Sequence, residues 1–119
     1  MVEFTIIVPV FNEKENLSRL EVELMKFINS TEYKTKILIV DDGSTDGSKE
    51  IIKRLCKKNN FFESVSFKTN HGLSSALKAG FDLCDSEYLG YIDSDLQTSP
   101  SDFHNLLKYI EEYDLVTGY

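Results

Sequence analysis

A mostly parallel α/β sheet with helices on both faces is the fold that this 119-residue sequence predicts. Three observations carry the prediction. Short, β-rich apolar runs alternate with segments whose apolar residues recur at helical spacing, the pattern of successive β-α units. The first run, Phe4-Thr-Ile-Ile-Val-Pro-Val10, is nearly continuous in apolar character, as a strand covered on both faces must be. Polar clusters then stand where three of the runs stop, and ligands of such sheets bind beyond the carboxyl ends of the strands, near a topological switch point.

The first strand is expected to lose its ladder at Pro9, which has no N–H to donate. Asn12 has the features of a helix N-cap, with Glu15 three residues on. Leu17, Leu20, Leu24, Phe27 and Ile28 place a helix over about residues 13–28. Lys36-Ile-Leu-Ile-Val40 forms the second strand, broken by Asp41-Asp-Gly-Ser-Thr-Asp-Gly-Ser48. Ser44 or Thr45 is placed to cap the next helix, whose apolar face is Ile51, Ile52, Leu55 and Cys56. Ser64 to Phe67 makes a short third strand, and Thr69-Asn-His-Gly72 turns into a helix carrying Leu73, Ala76, Leu77, Phe81 and Cys84. Gly80 inside that helix costs about 1 kcal/mol relative to alanine, a sign of close packing against a neighbour.

The fourth strand begins at Tyr88 and ends in Asp93-Ser-Asp-Leu-Gln97. Ser99-Pro-Ser-Asp102 starts a last helix over Phe103, Leu106, Leu107 and Ile110, and Tyr113 to Thr117 reads as a fifth strand. One domain is expected, spanning residues 1–119.

Composition narrows the function classes. A formal net charge of −7 disfavours nucleic acid or an anionic membrane surface as the main partner. No stretch reaches the length of a membrane span, and no signal-type segment opens the chain. The two cysteines, Cys56 and Cys84, lack metal-type spacing and read as small core residues in a reducing, cytoplasmic compartment. His71 and His104 have no nucleophile beside them and read as structural or surface residues.

The carboxylates are harder to explain as scaffold. Alternate residues of an extended chain face one side, so Asp93, Asp95 and Gln97 put three oxygen-bearing side chains together, a set suited to a hard divalent cation. The alternative is a solvated acidic turn. Asp41 and Asp42 stand side by side at a buried strand end, where repulsion and desolvation both cost stability, so one of them is expected to face a ligand. Glu13 and Glu15 have an ordinary explanation in the helix dipole.

Four motifs together resemble the family-2 glycosyltransferases with the GT-A fold, whose nucleotide-binding half is Rossmann-like. They are Ile7-Val-Pro-Val-Phe-Asn-Glu13, Val40 to Ser48, Asn70-His-Gly72 leading to Gly80, and Asp93-Ser-Asp-Leu-Gln97. The Asp-x-Asp-x-Gln form followed by Ser-Pro is most similar to the dolichol-phosphate mannosyltransferase-like branch. The resemblance implies a UDP- or GDP-sugar donor and a polyprenyl phosphate or glycan acceptor, as in cell-envelope glycan synthesis. It implies that Pro9, Phe11 and Glu13 line the nucleotide pocket and that Asp42 hydrogen-bonds the base. Asp93 would face the ribose and diphosphate beside the metal, with Asp95 and Gln97 holding Mg²⁺ or Mn²⁺. Such a cation reconciles acidic side chains with a diphosphate that they would otherwise repel.

Two departures qualify the resemblance. Leu73 stands where relatives often carry a basic residue, and relatives continue past Tyr119 into an acceptor-binding half. The chain is therefore expected to be the donor-binding part of a truncated domain, inactive in transfer by itself. The full-length protein would be cytoplasmic, associated with the membrane's cytoplasmic face. A non-catalytic nucleotide-binding or interaction module is the main alternative. A receiver-like phosphoacceptor domain is weaker, because a whole β-α unit precedes Asp41 and no lysine closes a fifth strand.

Overall fold

The computed structural model describes residues 3–31, 33–84, 86 and 88–91. Its elements are β1 (Glu3–Val10), α1 (Leu17–Ser30), β2 (Lys34–Asp41), α2 (Ser48–Lys58), β3 (Phe62–Ser66), α3 (Leu73–Leu83) and β4 (Tyr88–Tyr91). The strands pair in parallel in the order β3-β2-β1-β4. From β1 the chain steps outward to β2 and β3, then returns to place β4 on the other side of β1. That reversal puts a switch point between β1 and β4, the position at which doubly wound sheets bind ligands.

Period-2 alternation along β1 and β2 divides the core between two faces. Phe4, Ile6, Val8 and Val10, with Ile37 and Ile39, meet Leu17, Leu20, Leu24 and Phe27 of α1 and Ile52 and Leu55 of α2. The opposite face sets Ile7, Leu38 and Val40 against Ala76 of α3, with Phe81 and Leu77 packed around them. Burying each such side chain stabilises the fold by about 1.5–3 kcal/mol. The near-continuous apolar runs are thus explained, since both faces of the sheet carry helices. At Gly80 α3 lies close against the sheet: a Cβ there would lie 2.7 Å from Ile7 Cγ2.

Several boundaries differ from the sequence reading. β1 runs one residue past Pro9, which stays in register opposite Val40. In the described part of β4 the pairing with β1 stops at Ile7, so Pro9 meets a single described neighbour strand. α1 starts at Leu17, not near Glu13, and Asn12 is not its cap. Neither Ser44 nor Thr45 caps α2, which begins after Gly47. β3 begins two residues earlier than expected, at Phe62, whose side chain fills the α2 side of the core. The expected fourth helix and fifth strand, with His104, lie outside the described residues.

Candidate functional site

The carboxyl ends of β1 and β2, with the loop that enters α3, build one rim. β1 and β2 are in register to their last residues, Val10 opposite Asp41, so the loops that follow them leave the sheet at the same height. The Asp42 N–H then donates to the Val10 carbonyl (2.8 Å), and the Phe67 N–H donates to the Asp41 carbonyl (2.8 Å). Three successive strand ends are stitched together by backbone alone.

Side chains then bind the loops to one another. Asp42 is only 4% exposed. Its Oδ1 accepts from the His71 N–H (2.7 Å), and its Oδ2 accepts from the Gly72 N–H (2.9 Å) and Asn70 Nδ2 (3.0 Å). A carboxylate has about four acceptor positions, so roughly one remains, on Oδ1. Asp41 is fully buried: its Oδ1 accepts from the Ser44 N–H (3.1 Å), while Oδ2 has no hydrogen-bond partner among the described residues. Leaving a buried acceptor unmet costs about 1–3 kcal/mol, so Asp41 holds unused capacity at the rim.

Gly43 lets this happen. Its φ is +80°, and a Cβ there would come within 2.4 Å of the Thr69 carbonyl carbon and 2.5 Å of the Asn70 nitrogen. Only glycine permits the second loop to lie directly on the third.

The first loop is tied to the second by Asn12 and Lys14. The Asn12 N–H donates to Ser44 Oγ (2.9 Å), and the Thr45 N–H donates back to Asn12 Oδ1 (2.8 Å). The Lys14 N–H donates to Asp46 Oδ2 (3.1 Å), while Asp46 Oδ1 receives both the N–H and the hydroxyl of Ser48 at the start of α2. The Ser48 hydroxyl is the main cause that holds the Asp46 carboxyl below its ordinary value of 3.8, with the backbone N–H groups acting in the same direction against a smaller desolvation.

The predicted site residues fall as follows. Pro9 is buried at the top of β1. Phe11 is 45% exposed on the rim, a large apolar surface left open. Glu13 is half-buried and takes the Asn16 amide (2.6 Å). Asp42 lies on the same rim, as a loop clamp. Leu73, the first residue of α3, is exposed beside that clamp. The rings of exposed His71 and of Phe67 meet at right angles, with centroids 5.1 Å apart. Asp93, Asp95 and Gln97 lie outside the described residues, and among the described residues no three His, Cys, Asp or Glu side chains form a metal-type group. Sequence reasoning missed Asn12 and Asp46 as loop ties; the available signal was an Asn in a turn, the non-glycine residue type most at ease with positive φ.

A family model described as "Glycosyl transferase family 2" matches residues 5–118. The chain belongs to this family. Among curated relatives, the undecaprenyl-phosphate 4-deoxy-4-formamido-L-arabinose transferase of Pseudomonas syringae pv. syringae is 32% identical over 114 residues, covering 94% of this chain and 34% of that protein. The dodecaprenyl-phosphate galacturonate synthase of Rhizobium johnstonii is 28% identical over 120 residues, covering 98% and 36%. The chain therefore spans about a third of the length of the curated relatives it matches.

Solved structures share the fold. A mannosyltransferase from Pyrobaculum calidifontis, determined in complex with GDP-Man and Mn²⁺, superposes with a TM-score of 0.73 at 23% identity, over 90% of this chain and 32% of that one. S. aureus TarS gives 0.76 at 22% identity, over 95% and 20%. The expected GT-A class of fold is thereby borne out, as is the family-2 assignment.

Proposed function

We propose that this chain is the donor-binding part of a glycosyltransferase that moves a sugar from a UDP- or GDP-sugar to a polyprenyl phosphate or glycan. The observation that supports it best is the convergence, in a family-2 chain, of Pro9 to Glu13, Asp41 to Asp46 and Asn70 to Gly72 on one rim, at the carboxyl ends of β1, β2 and β3 and beside the switch point between β1 and β4. The relatives' names point to polyprenyl-phosphate acceptors, and we place acceptor recognition outside these residues. No helix among the described residues is long and apolar enough to cross a membrane, so association with the cytoplasmic membrane face would come from elsewhere.

In this reading Phe11 offers its open ring to the base or ribose, and Pro9 and Glu13 complete that wall. Asp42, with one acceptor position left on Oδ1, reads a ring N–H of uracil or guanine. Neutral adenine and cytosine have no such donor. Asp93, Asp95 and Gln97 would hold Mg²⁺ or Mn²⁺ at the diphosphate. The cation, when bound, offsets diphosphate charge and stabilises the departing nucleotide as a Lewis acid. A polyprenyl phosphate oxygen is already ionised, so no strong protein base is required of the chain.

Calorimetry with UDP, GDP, ADP and CDP, each with Mn²⁺ or with EDTA, tests the proposal. UDP or GDP should bind more tightly than ADP or CDP by roughly 1.5–3 kcal/mol, the worth of a hydrogen bond to a charged group. EDTA and Asp95→Asn should each weaken binding markedly. Equal binding with and without metal would remove the metal from the site. A loss of all nucleotide binding, in a folded chain, would leave only an interaction module.

A further inference from the structure

We propose that Asn12 is a positioning residue for the donor, a latch that fixes Phe11 and Glu13 by fastening the first rim loop to the second. The proposal rests on the donor-binding reading for its functional half and on geometry for the rest. Among the described residues Asn12 is the non-glycine residue with positive φ, at +52°. Such a conformation is uncommon outside glycine and persists where its surroundings enforce it. Here they do, through two bonds that run in opposite directions: the Asn12 N–H to Ser44 Oγ, and the Thr45 N–H to Asn12 Oδ1. The partners are 32 and 33 residues away, so the bonds join two loops and serve no local turn.

Residue type follows from the two tasks. Glycine would adopt the φ but supply no acceptor for Thr45. Alanine would supply neither. Aspartate would meet both requirements but would add a further carboxylate to a rim that already carries Glu13, Asp41, Asp42 and Asp46, beside an anionic donor. Asparagine meets both without charge. Phe11 and Glu13 are its immediate neighbours, each Cα only about 3.8 Å away along the chain, so fixing the Asn12 backbone fixes where both begin. Phe11 is 45% exposed and lies outside the buried core, so its loop backbone does much to set its position. The second loop is itself anchored, through Asp42 and Gly43, to the loop before α3. Asn12 thus brings the first loop into a frame that the other two already form.

The test compares the parent chain with Asn12→Gly, Asn12→Asp and Ser44→Ala, by amide hydrogen exchange and by calorimetry with UDP and GDP in Mn²⁺. Asn12→Gly should keep the thermal midpoint of the parent while the Thr45 amide exchanges on the order of tenfold faster. Its nucleotide affinity should fall about fivefold to tenfold, the effect of one lost hydrogen bond. Ser44→Ala should weaken affinity similarly through the other bond. Asn12→Asp should restore Thr45 protection and return affinity to within about threefold of the parent, a rescue that a merely space-filling role would not give. Unchanged Thr45 exchange in Asn12→Gly overturns the latch whatever the nucleotide does. Faster exchange with undiminished affinity overturns its positioning role. If the parent itself binds no nucleotide, the donor-binding reading fails, and with it the positioning role, while the exchange data still decide whether the latch exists.

Discussion

The two ends of this sheet are both polar, yet they are built by different rules. At the carboxyl ends, side chains bind backbone: Asp42 holds the N–H groups of His71 and Gly72, Asn12 holds that of Thr45, and Asp46 holds those of Lys14 and Ser48. At the amino ends, the side-chain bonds that join one element to another run between side chains. Thr5 meets Ser86, Ser86 donates to Glu3 Oε1 (2.9 Å), and Lys34 Nζ lies 3.8 Å from Glu3 Oε2. A bond to backbone N–H fixes main-chain conformation, whereas a bond between two side chains mostly fixes rotamers. The contrast teaches where the molecule needs a set shape. One end is a preorganised rim that can receive a ligand without first ordering loops, and ordering costs about 1–2 kcal/mol per residue backbone. The other end is a part-buried edge joined through side chains.

The largest expected effect comes from prising the rim apart. Gly43→Ala asks for a side chain at φ +80° and drives its Cβ to within 2.4 Å of the Thr69 carbonyl carbon, an atom of the backbone that has no rotamer to yield. Positive φ costs about 1–2 kcal/mol and overpacking about 1–3, so urea denaturation should show a loss of roughly 2–5 kcal/mol. The Asp42 bonds should open with it, seen as faster exchange of the His71 and Gly72 amides. A loss under about 1 kcal/mol would mean that the two loops slide freely, and the preorganised rim would have to be given up.

What the sequence made legible, and what it hid, divides along the same line. Strands, helices and their order follow from apolar periodicity, because each core position is set by its own neighbours in sequence; Ile6, Val8, Leu20 and Ile52 could be read directly. Gly80 announced a close approach, but its partner Ile7 belongs to another element and left no mark in the helix. The starts of α1 and α2 were misplaced because the deciding bonds are long-range. Asn12 looks like a cap until Thr45, 33 residues on, claims its side chain. Ser44, Thr45 and Asp46 are all capping types, and the left-handed glycines at 43 and 47 decide that Asp46 receives Ser48. The rim clusters were legible as a group, while the division of labour between Asp41 and Asp42 was not.

A middle-sized effect sharpens the comparison through pH. The Asp46 carboxyl is held below 3.8 in the folded chain, chiefly by the Ser48 hydroxyl. A depressed folded-state pKa means that the charged form is favoured by folding. Its stabilisation is therefore complete above the unfolded-state value and is lost as pH falls through the folded-state value. Urea midpoints of the parent and Asp46→Asn, measured from pH 7 down to about pH 3, should differ most at neutral pH and converge below 3.8. Parallel curves would show that the rim bond to α2 gains nothing from the charge on Asp46.

The smallest effect is expected at the other end. Lys34 and Glu3 face each other in register where β1 and β2 begin, so the pair occupies a position at which an ion pair would clamp the edge if any exposed pair could. The side chain of Lys34 is 61% exposed, however, and at 3.8 Å from the 26%-exposed Glu3 its ammonium stays largely hydrated. Coulomb attraction to an exposed lysine is offset by the entropy of holding its long side chain still, and such pairs contribute about 0–1 kcal/mol. Glu3 also keeps its hydrogen bond from Ser86 when the lysine is gone. Lys34→Ala should therefore shift stability by less than about 0.5 kcal/mol in urea denaturation, with little dependence on added salt. A loss approaching that of Gly43→Ala would show that the amino-end edge is held as firmly as the rim. The difference between the two ends would then be one of chemistry without mechanical consequence.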